Sequence, residues 1–207
     1  MGDDLNGVNM PSATRAYHHG ALRQALIEAA EAVIAERGVD GFSLRETARR
    51  AGVSPAAPGH HFKDARGLLT AVAAGAFRAF GDALAASDTG QERVERIRAQ
   101  GMAYVRFALA NRAKFDLLWR KALIDDSDPE YMAAAGRAFA LLERVVRGVE
   151  TPATRPFDLS VAPSIAAWSI VHGFARLAMD GVFGDEPGAA ERAADAMLPR
   201  ALDHLKV

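Results

Sequence analysis

Apolar residues recur along most of the chain at spacings of three and four, the period of an α-helix with one buried face. Leu22, Leu26, Ala29 and Val33 form the first stripe, which begins near Gly20 and closes at Gly38. A second start follows at Ser43-Leu44-Arg45-Glu46. This is a capping box, in which the Ser hydroxyl and the Glu carboxylate satisfy each other's free backbone donors. The helix it opens is short: Leu44, Ala48 and Ala51 face inward before Gly52 stops it. Ser54-Pro55 restarts the chain, with Ser as cap and Pro at the first helical position. Pro58, at the fourth position, would then remove the first intrahelical bond. Residues 43–62 thus read as two short helices joined by a tight glycine turn, with Val53 filling the gap between them.

Beyond Lys63 the helices lengthen. Residues 65–86 turn Leu69, Val72, Ala76, Phe80 and Ala83 inward, and residues 91–111 turn Val94, Ile97, Gly101, Tyr104 and Ala108 inward. Residues 112–123 carry Phe115, Leu118, Trp119 and Ala122. After the acidic break 125–129, the stripe Met132, Ala135, Phe139, Leu142, Val146 predicts another amphipathic helix. A loop over 151–158 precedes a helix over 159–183 that is apolar nearly all round. Ile165, Trp168, His172, Ala175, Met179 and Val182 form one of its stripes; Ala167, Val171, Phe174 and Ala178 form another. Such a helix needs cover on both sides, and in a chain this size a second copy is the natural cover. Residues 187–206 make the last helix, bent at Pro199. No period-two alternation occurs, and 44 alanines among 207 residues favour helix over strand. The fold is all-α. Residues 1–13, polar and glycine-containing, read as a disordered arm.

Composition adds exclusions. Half the residues are apolar and 25% are charged, the balance of a globular chain of one or two domains. No run of about eighteen uncharged apolar residues appears, so no membrane association is expected. The acidic start lacks the apolar stretch of a secretory signal, which makes the cytoplasm the expected compartment. The absence of cysteine removes disulfides, thiolate metal sites and cysteine nucleophiles. There is no HExxH, GxSxG or glycine-rich phosphate loop, so no enzyme and no cofactor are expected. Four of the six histidines, His18, His19, His60 and His61, fall in the first 61 residues. Adjacent imidazoles on a helix diverge by roughly 100°, so they do not converge on one metal ion. Net charge is −1, yet residues 10–66 hold eight Lys/Arg against six Asp/Glu, which permits nucleic-acid binding at that end.

Three segments carry a resemblance. Tyr17-His18-His19-Gly20-Ala21-Leu22-Arg23, the run from Phe42 to Ser54, and His61-Phe62 closely resemble, with matching spacing, the N-terminal domain of TetR/AcrR-family transcriptional regulators. Trp168-Ser169-Ile170-Val171-His172-Gly173 looks like the Trp-x-x-x-His-Gly signature of one C-terminal subclass. The resemblance implies a helix-turn-helix DNA-binding domain over 14–66 and a helical effector-binding and dimerisation domain over 67–207. It implies about nine helices, a homodimer built through the last two, a palindromic duplex operator, and a repressor released by a small, largely apolar effector. Residues placed toward DNA are Tyr17, His18, Ser43, Arg45, Ser54, Pro55, Ala56, Gly59, His60, His61 and Lys63. Residues placed toward effector are Tyr104, Phe107, Phe115, Trp119, Phe139, Trp168 and His172; of these, His172 on an apolar stripe needs a hydrogen-bond partner. Two positions depart from the family pattern: Gly59 stands where a DNA-backbone-packing Tyr is usual, and Ala65 where a phosphate-binding Lys is common. Both point to weakened operator contact, and the alternative function is a dimeric ligand- or protein-binding module.

Overall fold

The structure, a computed structural model, describes residues 13–89, 92–150 and 158–205, with side chains from residue 21 onward. Among the described residues the nine α-helices are α1 (Ala13–Arg37), α2 (Leu44–Arg50), α3 (Ala57–Phe62), α4 (Ala65–Ala86), α5 (Arg93–Ala110), α6 (Arg112–Leu118), α7 (Pro129–Arg147), α8 (Ala162–Met179) and α9 (Ala189–Leu202). No strand occurs among the described residues. The arm expected over 1–13 lies outside them except for Ala13, the first residue of α1. That helix starts earlier than its apolar stripe, because periodicity marks only the buried part, where Leu26, Ala30, Val33 and Ile34 are sealed from solvent.

Local chemistry sets the two short helices. Ser43 Oγ accepts from the Glu46 N–H at 3.4 Å, half of the expected capping box. The other half does not form. The Glu46 carboxylate instead accepts from Arg49 and Arg50 at 2.8–2.9 Å, charged donors that outcompete a backbone N–H. Gly52, at φ +69°, ends α2. The Val53 N–H bonds the Ala48 carbonyl and the Gly52 N–H bonds that of Arg49, a Schellman closure that only a left-handed residue permits. Ser54 does not cap α3. The Ala57 N–H closes a turn on the Ser54 carbonyl at 3.0 Å, so the helix begins three residues later with Ala56 as its cap. Pro58 therefore falls within the first two helical positions and removes no helical bond.

The α3–α4 corner is tight. Lys63 has φ 67° and ψ −56°, and the Asp64 N–H bonds the Phe62 carbonyl at 2.7 Å, a γ-turn in a conformation that costs a non-glycine residue strain. Asp64 then caps α4 through the Gly67 N–H at 2.9 Å. A Cβ on Gly67 would stand 2.0 Å from the Phe62 carbonyl oxygen, so this corner requires glycine.

In the larger part of the molecule α4 packs on α7, and α5 on α8 and α9. At Gly101 a Cβ would meet Leu202 at 2.6 Å and Val171 at 3.2 Å, and the missing side chain is what lets α5 approach both. Two expectations shift here. Tyr131, Ala134, Ala138, Leu141 and Val145 form the buried stripe of α7, and Met132 is 56% exposed. The helix after α5 ends at Leu118, with a separate 3₁₀ turn at Lys121–Leu123. Among the described helices α4 alone is long and apolar enough to cross a membrane, and most of it is core.

Candidate functional site

Two regions gather the residues singled out in the sequence. The first is the outer surface of α2 and α3. Ser43, Arg45, Ser54, Pro55, Ala56, Gly59, His60, His61 and Lys63 all lie there, exposed or partly exposed. Tyr17 and His18 fall in the first turns of α1, where side chains lie outside the described residues. The arginines of α2 divide into two kinds. Arg49 and Arg50 are bound to carboxylates, Arg50 bridging Glu46 at 2.9 Å and Glu36 at 2.5 Å. Bonds from Arg49 first and Arg50 second hold the Glu46 carboxyl down to about 2. Arg45 is exposed and takes part in none of the ion pairs among the described residues. Inward, Phe62 anchors α3, with the Arg23 guanidinium 5.4 Å above its ring. Beside Gly59 nothing stands within 4 Å of where a Cβ would be.

The second region is a cavity of about 190 Å³ bounded by α4, α5, α7, α8 and the end of α9. Tyr104, Trp119, Phe139 and Trp168 line it, as do Phe77 and Phe80 of α4. Phe107, Phe115 and His172 do not. Phe115 is fully buried, and its ring lies 5.7 Å from those of both Tyr104 and His172, so it backs the wall from behind. Phe107 packs on Phe80 at 5.1 Å. His172 finds the partner it needs: its Nδ1 is 2.9 Å from the Tyr104 hydroxyl, which also accepts from Trp168 Nε1–H at 3.2 Å. An indole N–H can only donate, so the Tyr104 hydroxyl is free to give its own proton to a neutral imidazole. Burial lowers the pKa of His172 and raises that of Tyr104, so both stay neutral near pH 7.

Phe77, Ile97, Gln100, Gly101, Tyr131 and Leu202 also line the cavity. Sequence reasoning assigned Ile97 and Gly101 to the core and passed over Gln100, whose amide donates to the Leu141 carbonyl at 3.2 Å. A polar residue on the buried stripe of α5 was the available signal. The expected α7 stripe Ala135, Phe139, Leu142, Val146 lines the cavity too, together with Tyr131 and Ala138 of the buried stripe.

Covalent continuity and polar bonds join the two regions. Arg66 Nε donates to the Ile124 carbonyl at 2.8 Å, and Thr70 Oγ1 accepts from the Asp125 N–H at 2.8 Å. Arg120 pairs with Asp40 at 2.6 Å and Lys114 with Glu31 at 3.4 Å, so α6 rests on α1 and the loop after it. Phe77 and Phe80, about two to three turns beyond Thr70 along α4, reach the cavity.

A helix-turn-helix pair leading into an all-α domain that holds an apolar cavity defines a class of regulatory DNA-binding proteins. Comparison with known families agrees. Residues 26–72 match the model of bacterial regulatory proteins of the tetR family, and residues 97–201 match the tetracyclin repressor-like C-terminal domain. The chain belongs to the TetR family of transcriptional regulators. Among solved structures, a Rhodococcus sp. RHA1 protein with unknown function is similar at 32% identity, covering 89% of this chain and 97% of that one, with a TM-score of 0.69. A TetR family transcription regulator from Marinobacter aquaeolei VT8 is similar at 23% identity, 91% and 97% coverage, and a TM-score of 0.61. RolR in complex with resorcinol is similar in fold at 24% identity, 93% and 91% coverage, and a TM-score of 0.58. Among curated proteins none matches. Regulators of this family bind DNA and small-molecule ligands as dimers.

Proposed function

We propose that this regulator is a repressor that holds a two-fold symmetric operator through α2 and α3 of each subunit and leaves it when a small, largely apolar molecule fills the cavity. The observation that carries this reading is α4. Its cap, Asp64, adjoins the γ-turn that ends α3, while its middle supplies Phe77 and Phe80 to the cavity wall. A ligand that binds better to one tilt of α4 changes the spacing of the two DNA-binding heads. A coupling of about 1–3 kcal/mol would release DNA by roughly 5- to 150-fold. In this reading the chain divides near residue 66, and Arg45, His60, His61 and Lys63 contact the operator while Tyr104, Trp119, Phe139 and Trp168 contact effector. The C-terminal part belongs to the Trp-x-x-x-His-Gly subclass, a reading supported by the way Tyr104 ties Trp168 to His172.

Dimerisation is proposed through α8 and α9. Ala162, Ala166, Ser169, Gly173 and Leu177 make a stripe at helical spacing on α8 that the single chain leaves largely uncovered. Met197 of α9 and Val182 beyond α8 add exposed apolar surface.

A mobility-shift titration with the DNA upstream of its own gene, against a scrambled duplex, tests the operator claim. Preference for the native duplex, steeply weakened by salt, is expected. Equal affinity for both duplexes would instead favour the ligand- or protein-binding module, for which the bare surface at Gly59 is the supporting observation.

A further inference from the structure

One residue of the cavity wall, Trp119, carries a buried polar atom that the fold leaves without a partner. Among the described residues only two buried side-chain polar atoms lack a hydrogen-bond partner, Trp119 Nε1 and Arg144 Nε. Trp119 lines the cavity and Arg144 does not. Of the other polar side chains of the wall, Tyr104 bonds Trp168 and His172, and the Gln100 amide donates to the Leu141 carbonyl. A buried donor without an acceptor is destabilising, a penalty that a ligand oxygen would remove.

Shape and charge narrow the ligand further. An apolar cavity of about 150 Å³ accepts benzene; at about 190 Å³ this one has room for a single ring with a small substituent. Phe77 meets Trp119 and Tyr131 edge to face at 6.0 and 5.4 Å, and Phe80 meets Tyr104 likewise at 5.0 Å. Walls built this way present both ring faces and ring edges, the surfaces on which another aromatic ring packs best. No Asp, Glu, Lys or Arg lines the cavity, so an ion would enter without a counter-charge.

We propose that the cavity takes a neutral single-ring aromatic molecule whose carbonyl, ether or phenolic oxygen accepts a hydrogen bond from Trp119 Nε1–H. The assignment rests on the effector reading above and names its ligand class.

Three probes separate the contributions: acetophenone, which carries the acceptor; cumene, nearly the same shape without it; and benzoate, which is charged. Calorimetric titration of the full-length protein should show both neutral probes binding and benzoate failing to bind. The preference for acetophenone over cumene should fall about tenfold in Trp119→Phe, a double difference in which the unequal hydration of the two probes cancels. Because the Trp119→Phe protein could be misfolded, the indole N–H resonances of ¹⁵N-labelled unmodified protein give a second readout. The Trp119 signal, assigned with Trp168→Phe, should move downfield with acetophenone and not with cumene. An unchanged preference in a folded Trp119→Phe protein, equal resonance shifts with both probes, or tighter binding of benzoate would each overturn the proposal. Operator release is scored separately: acetophenone binding through Trp119 without release supports the ligand class and overturns the switch.

Discussion

The hydroxyl of Tyr104 on α5 lies 2.9 Å from Nδ1 of His172 on α8, and the same oxygen accepts the indole N–H of Trp168 at 3.2 Å. Three polar groups in an aromatic wall thus satisfy one another around a single oxygen. Tyr104→Phe removes that oxygen and strands two of them. The expected loss of stability is about 1–3 kcal/mol, measured by denaturant unfolding, with an emission change from Trp168. A stability equal to that of the unmodified protein would show that the network contributes nothing.

The same histidine sets a pH dependence. Its folded pKa is pushed below 6.5, chiefly by burial and secondarily by Arg176. Between that lowered value and 6.5 the unfolded chain binds the proton that the folded chain refuses. Stability from this group is therefore full above about pH 6.5 and declines as pH falls toward the folded pKa. The His172→Gln variant should show a flatter unfolding midpoint between pH 7 and pH 5 than the unmodified protein. Parallel profiles would remove His172 as the cause.

Periodicity read the architecture well because burial is what imposes it. Leu69, Val72, Ala76 and Phe80 of α4 and Ile97, Tyr104 and Ala108 of α5 are in the core as expected, whereas Val94, in the first turn of α5, is 50% exposed. It failed where a residue faces a cavity or lies exposed rather than in the core. Phe115 and Trp119 share a helical face in sequence, yet the first is sealed in the core while the second lines the cavity. Where a stripe meets internal space depends on the other helices, which no local pattern records. Capping followed the same limit: Ser43 acts locally and was legible, whereas the fate of Glu46 depends partly on Glu36 drawing Arg50 across from α1.

That distinction changes how the subunit interface should be probed. Phe174, apolar and on the all-round helix, reads from sequence as an interface position. Here it stacks on Phe183 at 4.8 Å and is 9% exposed, so Phe174→Asp would damage the protomer itself. Gly173 is the cleaner choice, because nothing stands within 4 Å of its missing Cβ. Gly173→Arg should leave the circular dichroism spectrum intact and halve the mass measured by light scattering. A folded Gly173→Arg dimer would place the interface elsewhere.

Lys63 couples strain to charge. Its backbone sits at φ 67° and ψ −56°, a region that costs side-chain-bearing residues on the order of 1–3 kcal/mol. Lys63→Gly should therefore raise the unfolding midpoint. If the lysine also touches a phosphate, the same change weakens operator binding and makes the salt dependence shallower by about one charge per subunit. Gly67→Ala works in the opposite sense, forcing a Cβ to within 2.0 Å of the Phe62 carbonyl oxygen and opening the corner. A lower midpoint for Lys63→Gly would mean that the turn is not strained.

The recognition surface offers a gain-of-function test. Gly59 lies on the exposed side of α3 with nothing within 4 Å of where a Cβ would stand, so the Cβ of Gly59→Tyr meets no steric obstacle. Replacing a helical glycine also recovers part of the roughly 1 kcal/mol by which glycine trails the best helix formers. A tyrosine ring there adds apolar and hydrogen-bonding contact to the DNA backbone without altering base readout. Several-fold tighter operator binding is expected at fixed salt, with the sequence preference retained. Arg45→Ala supplies the opposite control: this exposed arginine joins no ion pair among the described residues, so its loss should weaken binding and flatten the salt slope. Arg49→Ala should do less to the slope, because its charge is already matched by Glu46 at 2.8 Å. Gly59→Tyr binding more weakly in a folded protein would mean that the glycine admits a close approach of the DNA backbone. Arg45→Ala binding at full strength would move the contact surface off the start of α2.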